Sequence, residues 1–96
     1  MKRGDSVKVK NGIMSPDDTN LCIEGWQGRI TELDGNFIVM ELDSITLQNL
    51  SEDYIEGSIR QAEEYTFLCL TKDEVELTTP RDAQKDTLLK QKEIRE

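Results

Sequence analysis

The fold is decided by the stretch Gly25-Trp26-Gln27-Gly28-Arg29-Ile30, read together with the earlier stretch Gly4-Asp5-Ser6-Val7-Lys8-Val9-Lys10. In the earlier stretch Val7 and Val9 alternate with polar residues, which is the pattern of a half-buried strand. In the later stretch two glycines lie three residues apart, and the strand pattern continues through Leu33. Glycines inside a strand usually mark a bulge or a sharp bend. The two stretches therefore predict a small, strongly bent sheet.

A hairpin is predicted to follow the bend. Asp34-Gly35 favours a type I′ turn between strands at 26–33 and 36–42. The apolar run Phe37-Ile38-Val39-Met40 suits a central strand that is covered on both faces. A long connection, residues 13–24, precedes the hairpin, and alternation at Leu21 and Ile23 predicts that its end packs against the sheet.

Two helices are predicted in the second half of the chain. Ser51 has the character of an N-cap, and the apolar face of the following helix comprises Tyr54, Ile55, Ile59 and Ala62. Thr79 and Pro80 are expected to begin a C-terminal helix, with Asp82 near its positive end. Residues 65–70 and 74–77 lie between the helices and complete a set of five strands.

These residues resemble the KOW and Tudor-like versions of the SH3-like barrel. Such families begin with a Gly-Asp-x-Val-x-Val strand, as in Gly4–Val9, and continue to a Gly-x-x-Gly-x-Ile/Val segment, as in Gly25–Ile30. The chain is also similar to uncharacterised prokaryotic proteins that carry Gly-Trp-Gln-Gly-Arg followed by Asp-Ser-Ile-Thr-Leu, here Asp43–Leu47. The resemblance implies a mainly β fold: an SH3-like five-stranded barrel with a helical insertion between strands three and four and a C-terminal helix.

The length and the charge of the chain limit the classes of protein to which it can belong. We expect one domain in 96 residues, with the barrel and its insertion at 1–79 and a helical C-terminal extension at 80–96. The longest apolar run is four residues and no signal peptide is recognisable, so the expected location is the cytoplasm. Residues 13–80 carry fifteen carboxylates against three basic side chains, and the net charge is −8. This surface repels phosphate backbones and favours a basic protein partner.

The sequence carries no catalytic motif. Histidine is absent, which removes the usual general base and every histidine metal site, and the glycines match no nucleotide-binding fingerprint. The two cysteines are expected to be reduced thiols, with Cys69 a small core residue and Cys22 more accessible in a loop. We therefore expect no enzyme activity, no cofactor and no bound metal.

The leading hypothesis is a non-enzymatic protein-interaction module that binds a protein partner through the barrel surface. The candidate contact residues are Trp26, Arg29, Asp43 and Tyr54. Tryptophan is enriched at binding hot spots, exposed aromatic side chains often line the groove of SH3-like folds, and Arg29 could anchor a carboxylate. Two other interpretations stay open. Trp26 fills the core of the barrel instead, and Arg29 pairs with Glu41 or Asp43 on the sheet.

The C-terminal helix offers a second contact surface. Its thin apolar stripe contains Leu88, Leu89 and Ile94, and a helix with so few apolar residues is not stable alone. Self-association of the chain through these three residues is therefore a further hypothesis.

An alternative function is a KOW-like RNA- or ribosome-associated protein. Lys8, Lys10 and Arg29 would then contact phosphate groups, and binding would weaken with added salt.

A second alternative is an acidic calcium-binding protein. Asp17, Asp18, Asn20 and Glu24 place hard oxygen ligands in one loop. The EF-hand template fails, because Ile23 occupies the position of the required glycine when Asp18 is the first ligand. Turn formation explains the same residues.

Overall fold

The computed structural model describes residues 1–15, 20–61 and 65–95. The strands in these ranges are β1 Ser6–Val9, β2 Gln27–Asp34, β3 Phe37–Leu42, β4 Phe67–Thr71 and β5 Val75–Leu77. The helices are α1 Ser44–Gln48, α2 Glu52–Arg60 and α3 Gln84–Arg95. Neighbouring strands pair antiparallel in one sheet of order β4-β3-β2-β1-β5, so the five predicted strands are confirmed. The sheet is open, with β4 and β5 at its edges, and the helices make the fold a mixture of α and β.

The hydrophobic core lies on one face of the sheet. Helix α1 contributes Leu47 to it, and the connection before β2 contributes Ile23, which is fully buried. The prediction that the end of this connection packs against the sheet is therefore confirmed. The remaining buried members come from all five strands: Val7, Val9, Ile30, Ile38, Met40, Leu42, Leu68, Leu70 and Val75.

The β-bulge of β2 lies at Thr31 and not at the glycines, where a bulge or bend was predicted. Ile30 pairs with Met40 and Glu32 pairs with Val39, so Thr31 is an additional residue in a β-bulge. The Thr31 hydroxyl donates a hydrogen bond to the Val39 carbonyl oxygen at 3.2 Å. The bulge therefore follows from one extra residue in β2 opposite β3.

The bulge changes which side chains face the core. Strict alternation would place Ile30 and Leu33 on opposite faces, because they are three residues apart. With Thr31 as the extra residue, Leu33 pairs with Ile38 on the core side. Glu32 and Asp34 consequently project from the outer face of the sheet.

Gly28 allows three strands to meet at one point. It pairs with Val7 of β1 and with Leu42 of β3. A Cβ atom at position 28 would lie 2.1 Å from the Glu41 carbonyl oxygen. Only glycine fits this close backbone approach. Position 28 therefore requires glycine because a side chain has no room there, and not because of its φ angle.

The hairpin turn is displaced by one residue from the predicted Asp34-Gly35. Asp34 pairs with Phe37, so the two central residues of the turn are Gly35 and Asn36. Gly35 has a φ of 60°, in the left-handed region that a two-residue hairpin turn requires.

Helix α2 begins as predicted but is rotated relative to the expected inner face. The Tyr54 amide donates to the Ser51 hydroxyl at 3.1 Å, which confirms the cap. Ser58 is the buried residue of α2, whereas Ile59 is 62% exposed, so its predicted place on the inner face is wrong. Ala62 lies outside the described residues.

Replacing Gly57 by alanine is expected to stabilise the protein. Gly57 lies inside α2, and a Cβ atom there would have no neighbour within 4 Å. Alanine is favoured over glycine in a helix interior by about 0.8 kcal/mol. Urea unfolding followed by tryptophan fluorescence should therefore show a raised midpoint for Gly57→Ala. A lowered midpoint would contradict the described position of this residue.

Helix α3 begins at Gln84, so the predicted start at Thr79 and Pro80 is wrong. The Ala83 amide donates to the Asp86 carboxylate at 3.0 Å, which caps the first turn of α3. The preceding residues instead run over the sheet, where the Thr79 carbonyl oxygen accepts a hydrogen bond from Gln27 Nε2 at 2.8 Å. None of the helices in the described ranges has the length and apolarity that crossing a membrane requires.

Candidate binding site

The C-terminal segment contacts part of the outer face of the sheet. We define the C-terminal clamp as residues 78–95. The side-chain amides of Gln84 and Gln91 in the clamp donate to the Glu41 carboxylate of β3 at 2.9 and 3.1 Å. Thr87 of α3 is fully buried, and Ile94 packs against the core. Helix α3 packs mainly against α1, whose Leu47 belongs to the core. The clamp therefore reaches from α1 to the outer face of the sheet at Gln27, Arg29 and Glu41.

An ion pair between Arg29 and Asp82 holds the clamp to β2. Arg29 Nη2 lies 2.7 Å from Asp82 Oδ1, and the two side chains are 13% and 5% exposed. The other carboxylate oxygen, Oδ2, accepts hydrogen bonds from the Ser44 amide and the Thr87 hydroxyl, both at 2.8 Å. Burial by itself would raise the pKa of Asp82, but the hydrogen bonds from Ser44, Thr87 and Arg29 outweigh it and lower the pKa to about 2.

A second ion pair joins the clamp to the start of α1. Arg81 Nε and Nη2 donate to the two carboxylate oxygens of Asp43 at 3.0 and 2.9 Å. Asp43 also accepts from the Thr46 amide at 2.8 Å, so it is the N-cap of α1, a helix that the sequence analysis did not predict. The Asp43 side chain is only 3% exposed.

Arg29 and Asp43 thus point into the protein, although both were predicted as partner contacts. The alternative prediction that Arg29 pairs with Glu41 or Asp43 is wrong, because its carboxylate partner is Asp82. One sign of this arrangement is present near the end of the sequence, where the adjacent Arg81 and Asp82 carry opposite charges. Arg81 forms an ion pair with the buried Asp43, and Asp82 forms one with the buried Arg29.

The two aromatic residues that were predicted as partner contacts, Trp26 and Tyr54, lie against each other. The rings of Trp26 and Tyr54 form an edge-to-face pair with centroids 5.5 Å apart and an interplanar angle of 87°. Both are half-buried, and Trp26 also packs against the core. Their contact attaches α2 to the start of β2, so Trp26 has a structural role and a partly exposed ring.

The predicted self-association residues do not form one exposed face. Leu88 and Leu89 are 53% and 59% exposed, whereas Ile94 packs against the core. Only the two leucines are available to a second chain.

The acidic loop is described only in part. Asp17 and Asp18 lie outside the described residues. Glu24 accepts a hydrogen bond from the Gly12 amide at 2.9 Å. Among the described residues, no cluster of three or more cysteine or acidic side chains could hold a metal ion.

An open groove lies on a part of the outer face that the clamp does not contact. Its volume is about 400 Å³, and its lining residues are Glu32, Asp34, Phe37, Ile38, Val39 and Cys69. Phe37 is 56% exposed, so the prediction that β3 is covered on both faces is wrong for its first half. The β-bulge of β2 places the carboxylates of Glu32 and Asp34 beside this apolar surface. The described residues that line the groove include no lysine or arginine.

Cys69 faces this groove and is exposed, which corrects the prediction that it is a core residue. It pairs with Val39, whereas its neighbours Leu68 and Leu70 face the core. Cys22 is exposed as predicted. The groove is not predictable from the sequence, because alternation shows that Cys69 and Leu70 face opposite sides but does not show which side is covered. The odd spacing of Ile30 and Leu33 was the available sign of the bulge.

Comparisons of the chain with protein-family models, with curated proteins and with solved structures find no match.

Proposed function

We propose that the protein is a non-enzymatic interaction module with an SH3-like sheet, and that it binds a basic segment of a protein partner in the groove beside β3. The observation that carries this proposal is the exposed apolar surface of Phe37, Val39 and Cys69 next to the carboxylates of Glu32 and Asp34. Apolar area supplies affinity, and the two carboxylates select a partner with lysine or arginine next to its apolar residue.

The bulge in β2 supports the SH3-like class. Strand β2 pairs with β1 through Gln27–Arg29, backbone hydrogen bonds to the β1 side continue to Ile30, and β2 pairs with β3 from Gly28 to Asp34. The bulge at Thr31 directly follows the last residue of β2 that is bonded on the β1 side. A bulge at this point increases the local twist and curls the sheet towards a barrel.

The charges support a protein partner over a nucleic acid. Arg29 is held by Asp82, and Lys8 lies 3.6 Å from Glu76 on β5. Two of the three basic residues that a KOW-like contact would use therefore already have acidic partners. A chain of net charge −8 attracts lysine and arginine from a distance, which increases the association rate with a basic segment.

A defined pair of peptides tests the proposal. We expect the octapeptide Lys-Thr-Val-Thr-Lys-Thr-Val-Thr to shift the amide resonances of Val39 and Cys69 in an NMR titration. The same peptide with glutamate in place of lysine should bind at least about tenfold more weakly, because like charges meet at the groove. Equal binding of both peptides, or no shift in the groove with either, would contradict the proposal.

Matched variants distinguish the effect of the groove carboxylates from the effect of the net charge of the protein. Neutralising both groove carboxylates in the double variant Glu32→Gln/Asp34→Asn should weaken binding of the basic peptide about fivefold. The control is Glu52→Gln/Asp53→Asn, which removes two exposed carboxylates from the first turn of α2. It should leave the affinity nearly unchanged. Equal losses in the two double variants would mean that only net charge matters.

A further inference from the structure

We infer that the partner segment binds in an extended conformation and adds to the sheet as a sixth strand, antiparallel to β4. This inference rests on the proposed function, because it specifies how the basic segment is held. It commits to a segment of another protein and not to a second copy of this chain.

The outer edge of β4 presents a backbone ready for pairing. The Leu42 amide donates to the Thr66 carbonyl oxygen and the Lys72 amide donates to the Asn36 carbonyl oxygen, both at 2.9 Å. Residues with even numbers therefore direct their backbone groups towards β3. Phe67, Cys69 and Thr71 direct theirs away from the sheet.

One of these outward groups is already used within the chain. The Thr71 amide donates to the Glu74 carboxylate at 2.9 Å. Since β4 is the last strand of the sheet, no strand among the described residues pairs with the outward amides and carbonyl groups of Phe67 and Cys69. These groups are the hydrogen-bonding positions for an added strand.

The two edges of the sheet differ in their protection. Strand β5 is only three residues long and carries Glu76, which pairs with Lys8 of β1. Strand β4 is five residues long, Phe-Leu-Cys-Leu-Thr, with no charged residue and no proline. Edge strands normally carry such features to prevent pairing with other chains, so their absence from β4 indicates an edge that is used.

The edge of β4 is continuous with the groove. Cys69 contributes its side chain to the groove and its outward backbone groups to the edge. In an antiparallel addition, the partner residue that exchanges hydrogen bonds with Cys69 lies directly opposite and projects its side chain from the same face. That side chain extends the apolar surface of Val39 and Phe37. A strand at β4 therefore engages the backbone edge and the groove together.

Charge selects the occupant. Both charged side chains of the groove are carboxylates, and a second copy would bring a further net charge of −8 to the same edge. Self-pairing through β4 is therefore opposed by repulsion, whereas a segment with lysine or arginine on its groove side is attracted. The expected occupant is an extended segment in which basic and aliphatic residues share one face.

N-methylated versions of the basic octapeptide test this binding mode. Methyl groups on the two valine nitrogens block amides that face β4, because the residues with groove-facing side chains are the ones that bond to the edge. We expect at least a tenfold loss of affinity in the NMR titration. Methyl groups on two internal threonine nitrogens face away from β4 and should change the affinity less than about threefold. This second peptide is the matched control.

The protein offers a complementary variant. Cys69→Pro removes the outward amide without breaking a hydrogen bond to β3, as proline is tolerated at such edge positions. Cys69→Ala keeps the amide and is the control. We expect only the proline variant to lose binding of the unmethylated peptide, with the NMR spectrum of each variant showing that it is folded.

The outcomes separate the two proposals. Failure of the unmethylated peptide to bind would overturn the proposed function itself. Groove binding that is equally insensitive, or equally sensitive, to both methylation patterns would overturn strand addition alone. Sedimentation that shows a dimer of the free protein, abolished by Cys69→Pro but not by Cys69→Ala, would identify a second copy as the occupant and overturn the choice of partner.

Discussion

The Gly28→Ala variant is expected to lose about 3 kcal/mol of unfolding free energy, the cost of overpacking at a site that cannot relax. The added Cβ would lie 2.1 Å from the Glu41 carbonyl oxygen and 2.8 Å from the Glu41 carbonyl carbon. These are backbone atoms of a central strand, so they cannot move aside as a flexible side chain would. Relief of the clash requires β2 and β3 to separate at the point where β1 also pairs.

Urea unfolding monitored by the fluorescence of Trp26, the single tryptophan, measures this loss. A domain of this length typically has a stability of about 5–14 kcal/mol, so 3 kcal/mol is a large fraction of the total. Gly57→Ala is the matched control, because it adds the same methyl group where there is open space. An unfolding free energy of Gly28→Ala within about 0.5 kcal/mol of the wild type would contradict the close approach of β2 and β3.

Replacing Asp82 by asparagine is expected to cost about 3 kcal/mol, because it leaves the guanidinium of Arg29 without its buried charged partner. Arg29 is 13% exposed and its Nη2 donates to both the side chain and the carbonyl oxygen of Asp82. The asparagine has nearly the same shape, so the loss reports charge and hydrogen bonding rather than a cavity. Faster amide hydrogen exchange confined to α3 should accompany it, since this ion pair joins the clamp to β2.

The control for this variant is Asp34→Asn, which neutralises an exposed aspartate at the end of β2. Its unfolding free energy should stay within about 0.5 kcal/mol of the wild type. A loss of similar size in both variants would mean that net charge, not the buried pair, sets the effect.

Acid should weaken the clamp through the same residue. The pKa of Asp82 is about 2 in the folded protein against an ordinary value of 3.8. A carboxyl with a lowered folded pKa stabilises the protein at pH values above its ordinary pKa, and this contribution disappears as the pH falls through the folded value. We expect a loss of about 2 kcal/mol between pH 5 and 2. The difference between wild type and Asp82→Asn should shrink by this amount over the same range, and a constant difference would contradict it.

The position of the clamp also defines the proposed binding surface. Its contacts with Gln27, Arg29 and Glu41 lie on the outer face of β2 and β3. The groove begins where those contacts end, at Val39 and Phe37 of β3. A variant that releases α3 would therefore enlarge the exposed face without altering the edge of β4. Peptide binding by Asp82→Asn should remain within about threefold of the wild type, which separates stability from recognition.

Several elements followed from local sequence. Alternation of Val7 and Val9 predicted β1, and Ser51 with its acidic neighbours predicted the start of α2. These signals are readable because the side-chain period of a strand and the cap of a helix depend on residues that are close in the chain. The hairpin of β2 and β3 was found for the same reason, although its turn lies one residue later than predicted.

Other features required partners from distant parts of the chain. Arg29 pairs with Asp82, 53 residues further along, and this ion pair holds the clamp to β2. Helix α3 begins at Gln84 and not at the predicted Thr79. The intervening residues are instead hydrogen-bonded to side chains of the sheet and of the α1 N-cap. Long-range hydrogen bonds and ion pairs override a local helix signal at such positions.

The sequence by itself determined the antiparallel strands, the acidic surface and the absence of histidine chemistry. Only the tertiary structure decided which face of each strand is covered. Alternation separates Cys69 from Leu70 but is symmetrical between core and solvent, and one extra residue at Thr31 reverses it for the rest of β2. The clamp then covers part of the outer face through polar contacts that no local pattern encodes. The exposed groove and the free edge of β4 are what these non-local contacts leave uncovered.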